Sequence, residues 1–182
     1  AAAEQAALKP VFVDTFRPQL DNQIGLIGRL KKAGATRVFA GGDGEDIAIM
    51  GRDAEKLGAG MVFAGGEALR VPQPDVPYAT GTLMIATPEW SDVADASSLA
   101  ALQARKIAPD GYVLPAFAAV QIAGAAFEQS LSQGKPLTEA LGAEEFSTAI
   151  GPTRFDAKGD LSLSPYRVFR FDGTRFVPAE TP

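Results

Sequence analysis

The 182 residues contain no cysteine and no histidine. Without cysteine there can be no disulfide, no thiolate nucleophile and no thiolate metal site. Without histidine the commonest general base and the commonest metal ligand are gone. Any catalytic reading must then rest on carboxylates or lysine, and neither a metal site nor a cofactor is expected. Long apolar runs are missing too. Each is broken by glycine, proline or charge before the roughly 18 residues that a membrane span needs. Clustered basic residues are also absent, and the net charge is −5 with a pI of about 4.8. That argues against a nucleic-acid partner, whose phosphates need a basic footprint.

What is present suits a globular α/β chain. The sequence is 46% hydrophobic and 21% charged, and its length allows one sizeable core or two small lobes. Residues 1–8 read as the end of a helix. Residues 10–16, rich in Val, Phe and Thr, read as a strand. Asp21 can cap a helix that carries Ile24, Ile27 and Leu30 on one face and stops at Gly34. Residues 36–40 form a short buried-strand run, and Gly41, Gly42, Asp43 and Gly44 form a turn. A helix over 45–57 places Ile47, Met50, Ala54 and Leu57 inward and ends at Gly58. Residues 61–64 are another strand, followed by Gly65, Gly66 and Glu67. This alternation implies a parallel sheet flanked by helices. Both glycine turns then follow the carboxyl ends of neighbouring strands, the edge where open α/β sheets bind ligands.

The prolines at 72, 74 and 77 make residues 71–78 a surface connection, and residues 80–86 form one more strand. The pattern then changes. Residues 92–107 and 111–132 read as Ala-rich helices, the second with Val113, Phe117, Val120, Gly124, Phe127 and Leu131 on one stripe. A shorter helix covers 136–141. No strand separates these helices, so they need a sheet from elsewhere. Near the end, Asp156 and Asp160 form a turn. Two short strands then meet at Asp172 and Gly173, with Phe155, Tyr166, Phe169, Phe171 and Phe176 expected in the core.

Five elements in order carry a family resemblance. They are Arg29 through Gly34 followed by Val38, Phe39, Ala40, Gly41 and Gly42; Gly65, Gly66 and Glu67; the strand from Gly81 to Pro88; the long helix from Tyr112 to Leu131; and Phe155, Asp156, Ala157, Lys158, Gly159 and Asp160. Together they resemble the carboxy-terminal half of a type I periplasmic substrate-binding protein of ABC transporters, in the branched-chain amino-acid (leucine/isoleucine/valine-binding) family. The resemblance implies a two-lobed α/β fold of parallel sheets flanked by helices, incomplete in this chain. Residues 1–85 and 160–182 would belong to the carboxy-terminal lobe and 88–148 to the amino-terminal lobe. Residues 86–88 and 149–159 would be hinge passages. It also implies a non-enzymatic, periplasmic receptor whose precursor carries a signal peptide. Such a receptor delivers a small amino acid or organic acid to an ABC permease.

By the same resemblance Glu67 receives the ligand's ammonium group, and a partly buried carboxylate does favour a cationic partner. Asp43 is open to two readings, ligand contact or cap of the helix at 45–57 in the manner of a capping box with Asp46. Gly42, Gly44 and Gly66 let backbone approach a ligand, though tight turns explain them equally well. The glycine turn at 41–44 is no phosphate loop, since no Gly-Lys-Ser/Thr follows, and no EF-hand. Trp90 is read as a partly buried hinge residue. The carboxylate-binding hydroxyls of the family lie outside this stretch. The complementary amino-terminal half is therefore expected as a separate polypeptide, supplying parallel strands beside residues 80–86 and a helix before Pro10. Two rival functions stand beside this one: a ligand-sensing regulatory module of the same fold, and an α/β enzyme using Glu67 and Asp43 as an acid/base pair.

Overall fold

The computed structural model describes residues 2–70 and 74–179. It divides into one unit made of Ala1–Ala86 and Arg167–Pro182 and another made of Thr87–Tyr166. Most of the expected connection at 71–78 is described, but residues 71–73 lie outside the described residues.

The first unit opens with α1 (Ala2–Gln5) and an irregular stretch, then α2 (Ile24–Lys32), β1 (Arg37–Phe39), α3 (Gly44–Lys56), β2 (Val62–Gly65), a 3-10 turn at Glu67–Arg70 and β3 (Leu83–Ala86). Both longer helices end the same way. Gly34 and Gly58 take positive φ of 76° and 54°. The amides of Ala35 and Ala59 then reach back to the carbonyls of Leu30 and Ala54, 3.0 and 2.9 Å away. This is the glycine-terminated reversal that satisfies carbonyls at a helix end. It turns the chain directly into the next strand. β1, β2 and β3 are parallel; α3 makes the crossover from β1 to β2, and the 3-10 turn with the proline-bearing connection leads from β2 to β3.

The second unit intervenes with α4 (Trp90–Val93), α5 (Ala96–Ala104), α6 (Val113–Gln133), α7 (Leu137–Ala143) and the hairpin β4 (Phe146–Thr148) and β5 (Gly151–Thr153). The chain then returns as β6 (Arg167–Phe171) and β7 (Phe176–Pro178), which add antiparallel strands next to β3. The first unit's sheet runs β1-β2-β3-β6-β7. Its core packs Ile27, Leu30, Ile47, Met50, Phe63, Met84 and Phe171 between α2, α3 and one sheet face. The expected terminal hairpin is present, closed by the Asp172 amide donating to the Arg175 carbonyl at 3.0 Å. Among the described residues no helix is long and apolar enough to cross a membrane.

Several expectations change. Residues 10–16 form no strand, because nothing pairs with their backbone among the described residues. β1 is not buried. It is an edge strand, and Phe39 is 68% exposed. Asp21 does not cap α2; Gln23 is the first flanking residue, and its amide donates to Asp53 at 2.7 Å. β3 has β2 on one side and β6 on the other, so no further strand can pair beside 80–86.

In the second unit the helix expected over 92–107 is broken. Asp95 is extended there and accepts from the Ser98 amide at 2.9 Å, restarting the helix as a new N-cap. The buried stripe of α6 is Leu114, Ala118, Ile122 and Ala126. Of the predicted stripe, Val120, Phe127 and Leu131 are exposed instead. Small alanines on the inward face allow close approach of α7 and β4, and Ile122 and Ala126 pack there with Ala140 and Phe146. The hairpin β4–β5 was not read from the sequence. The Ala149 amide beside it donates to Gln121 Oε1 at 2.7 Å, tying the hairpin to α6.

Candidate functional site

The two glycine turns follow neighbouring parallel strands, and the register Phe39↔Ala64 sets their carboxyl ends side by side. The Ala40 amide donates to the Ala64 carbonyl at 2.9 Å, which extends the pairing to the start of the first turn.

Asp43 ends that turn as the N-cap of α3, its side chain accepting from the Asp46 amide at 2.9 Å. The capping-box reading holds only in this one direction. The Asp46 carboxylate meets the Asp43 side chain but does not bond the Asp43 amide. It accepts from the Gln19 amide at 2.8 Å and is 2% exposed. Burial pushes its pKa up, and the neighbouring charges of Asp43 and Glu45 add to that, against the lowering effect of the Gln19 bond.

Glu67 begins the 3-10 turn after β2. Its carboxylate lies 3.6 Å from Arg70 Nε, and the side chain remains 39% exposed. The Arg70 guanidinium stands over the Phe169 ring at 5.5 Å, a cation–π placement.

Tyr78 joins the two turns, and the sequence reading gave it no role. It is buried and donates from its hydroxyl to the Leu69 carbonyl at 3.2 Å. A Cβ on Gly44 would stand 2.3 Å from that same hydroxyl and 3.8 Å from the Ala68 carbonyl. Gly44 is therefore small because Tyr78 and the 3-10 turn press against the start of α3. Gly65 is small for a similar reason, since a Cβ there would meet Leu69 at 2.6 Å. Gly66 differs. Nothing lies within 4 Å of its Cβ position, and its carbonyl accepts from the Leu69 amide at 3.2 Å. A Cβ on Gly42 would meet Phe16 at 3.0 Å and Asp46 at 3.5 Å. Tyr78 itself is held edge-on by Phe171 and Phe176, with ring centroids 5.5 and 5.3 Å away. Burial, with Asp43 and Glu45 nearby, pushes its pKa up to about 12, so the phenol stays a hydrogen-bond donor.

The sequence therefore placed Asp43, Gly42, Gly44, Gly66 and Glu67 on one sheet edge, and the structure puts them there. It missed the tyrosine that locks the turns and the arginine beside Glu67. The only available signal was Pro77 before Tyr78, which reads as a turn and not as a buried aromatic. A groove of about 1070 Å³ takes in Gly41, Gly42, Asp43 and Asp46 of this edge but not Glu67.

No family model matches the sequence. Curated relatives do. The chain is 27% identical to the Leu/Ile/Val-binding protein homolog 3 of Brucella melitensis, over 99% of this chain and 51% of that protein. It is 32% identical to the leucine-, isoleucine-, valine-, threonine- and alanine-binding protein of Pseudomonas aeruginosa, over 82% of this chain and 42% of that protein. The chain thus spans about half the length of the curated relatives it matches. Among solved structures, the closed leucine-, isoleucine-, valine-, threonine- and alanine-binding protein of Brucella ovis superposes with a TM-score of 0.65 at 16% identity, covering 98% of this chain and 51% of that one. A solute-binding protein of an ABC transporter from R. palustris, in complex with benzoate, gives 0.54 at 19% identity, covering 90% and 47%. Those two likenesses speak to the fold.

Proposed function

Because this chain belongs to the Leu/Ile/Val-binding protein family, we propose that it forms the carboxy-terminal half of the periplasmic solute receptor of an ABC importer. The receptor captures a small amino acid or organic acid and presents it to the permease. One observation carries the reading on the structural side: two glycine turns are locked together by Tyr78 at the carboxyl ends of adjacent parallel strands, with Glu67 partly exposed there. Such an edge is where open α/β sheets bind small molecules.

In this reading Glu67 takes the ligand's amino group. A carboxylate has about four acceptor sites, so it can hold a second cation beside Arg70. Asp43, Gly42 and Gly66 line the same edge. Gly44 contributes by admitting Tyr78. The residues that would bind the ligand's carboxylate belong to the complementary amino-terminal half. Closure of two lobes on a hinge then follows from ligand touching both, because a ligand drives closure only by binding the closed form better. The assigned lobes are 1–85 with 160–182 and 88–148.

A thermal-shift panel on the purified receptor tests the proposal. Leucine, isoleucine, valine, threonine, alanine and benzoate would be compared. A true ligand at a hundredfold excess over its dissociation constant adds about 2.7 kcal/mol of stability. No shift with any member of the panel would count against the receptor reading.

A further inference from the structure

The 3-10 turn after β2 carries two opposite charges on one side. Residues three apart eclipse in such a turn, so Glu67 and Arg70 stand one above the other. Glu67 lies 3.6 Å from Arg70 Nε, a contact longer than a good hydrogen bond. Phe169 fixes where the guanidinium sits, with its ring centroid 5.5 Å away. Phe169 pairs with Met84, and Met84 pairs with Gly65, so the three form one row across β2, β3 and β6. Gly65 is the last residue of β2. The guanidinium is therefore held at the level of the carboxyl edge, where Glu67 also stands.

A second arginine comes to the same corner. β6 runs antiparallel to β3, so its first residue, Arg167, pairs with Ala86, the last residue of β3. Side chains alternate along a strand, so Arg167, Phe169 and Phe171 share one face. Phe171 is buried, Phe169 half-buried and Arg167 exposed. That face thus passes out of the core toward the edge and ends in a cation. Residues two apart on a strand are separated by about 7 Å. Arg70, seated on Phe169, and Arg167, next outward on the same face, are therefore neighbours.

We propose that this corner binds a second anionic group on the solute, so that the receptor prefers an amino acid with an acidic side chain, of the aspartate or glutamate kind. The inference rests on the receptor reading and names its substrate class. Glu67 takes the ammonium group, while Arg70 and Arg167 take the side-chain carboxylate. A guanidinium carries five donors in a rigid fork that matches a carboxylate. Stacking on Phe169 holds the fork of Arg70 in place before the solute arrives. The short distance between Glu67 and Arg70 calls for a compact solute, whose amine and second carboxylate are a few bonds apart. An aliphatic side chain seated here would take water from the guanidinium groups without supplying an anion, which is costly. The groups that hold the acid thereby also select against leucine-like side chains.

Calorimetry on the whole receptor tests this with aspartate, glutamate, asparagine, glutamine and leucine. Each amide matches its acid in shape and lacks the charge. One acid or both should bind about tenfold tighter than the matching amide and than leucine. Arg70→Gln should cut that ratio to about threefold or less, and Arg70→Gln with Arg167→Gln should abolish it. Arg70→Lys keeps the charge without the fork and should fall between. Arg170→Gln, next to Phe169 but on the opposite face, should leave the ratio unchanged. Melting curves taken alongside separate a lost preference from a lost fold, and Arg167→Gln alone, at an exposed position, should still lower the ratio. Binding of leucine or benzoate, with the acids no tighter than their amides, overturns the inference and leaves the receptor reading standing. An acid preference that survives the double substitution also overturns it. Silence from every solute overturns the receptor reading as well.

Discussion

Replacing Asp53 and Asp46 by asparagine, one at a time, is expected to move stability in opposite directions. Both carboxylates lie on the buried face of α3, 0% and 2% exposed. Burial alone would raise the pKa of each. At Asp53 it is outweighed. The Gln23 amide donates to it at 2.7 Å, Arg52 pairs with it at 2.9 Å and Lys56 lies 3.6 Å away, so its pKa falls below the ordinary value. At Asp46 burial wins, and Asp43 and Glu45 reinforce it, so the pKa rises. Asparagine keeps an oxygen for the Gln23 amide but turns a charged bond into a neutral one and removes the ion pair with Arg52, which keeps its bond to the Asp21 carbonyl at 2.7 Å. From the difference between charged and neutral hydrogen bonds, Asp53→Asn should cost about 2 kcal/mol at pH 7. Asp53→Ala, which leaves the helix start unbonded, should cost about 3–5 kcal/mol. Asp46→Asn keeps an acceptor for Gln19 and removes the repulsion, for a gain of about 0.5–1 kcal/mol. The pH dependence separates the two. A lowered pKa contributes stability that is present above the unfolded value, about 3.9, and is lost as pH falls through the folded value. A raised pKa imposes a penalty that grows as pH rises through the same unfolded value and is complete above the folded one. Urea melts at pH 7 and near pH 3 should therefore show the two variants converging in acid. If Asp53→Asn matches the parent at pH 7, or Asp46→Asn is the weaker protein, the balance of forces described for α3 is wrong.

Gly44→Ala should destabilise by about 1–3 kcal/mol through overpacking against Tyr78, and the loss should shrink in a Tyr78→Phe background, as a double-mutant cycle by chemical denaturation would show. Glu67→Ala should weaken binding of an amine-bearing solute by about 1.5–3 kcal/mol in calorimetry on the whole receptor, and unchanged affinity would remove Glu67 from the site. Asp43→Ala should lower stability by about 1 kcal/mol through loss of the α3 cap; affinity measured alongside shows whether Asp43 also serves the ligand.

Where a residue's environment is set within a few positions, the sequence was a good guide. Gly34 and Gly58 end their helices where the periodic apolar pattern stops, and each positive φ is one that glycine adopts freely. Asp43 caps because an aspartate before a helical run has an amide three residues on to accept from. Asp156 makes its turn by accepting from the amides of Lys158 and Asp160, again within four residues. Where the deciding partner is distant, the signal is missing. The start of α2 is held by Asp53, 30 positions later, so no local cue could have replaced Asp21 with Gln23. Tyr78 bonds the Leu69 carbonyl from beyond a run of prolines. The size of Gly44 makes sense only once that hydroxyl is in place.

The misreadings of buried surface share one cause. Phe39 was expected in a buried strand, residues 10–16 as a strand, and the stripe of Val120, Phe127 and Leu131 as a face needing a sheet from elsewhere; Val13, Phe39, Val120 and Leu131 are 86%, 68%, 69% and 69% exposed. An apolar pattern records what a surface has been selected to lie against, and it does so whether or not that neighbour is part of the same stretch of chain. The two sites differ in kind. On α6 the helix forms anyway, because its hydrogen bonds are internal and Leu114, Ala118, Ile122 and Ala126 give it a second, covered face. Over 10–16 no strand forms, because a strand's hydrogen bonds belong to its neighbour and the groove beside β1 supplies none. An uncovered helix face and an unpaired segment thus respond differently to the same kind of apolar pattern.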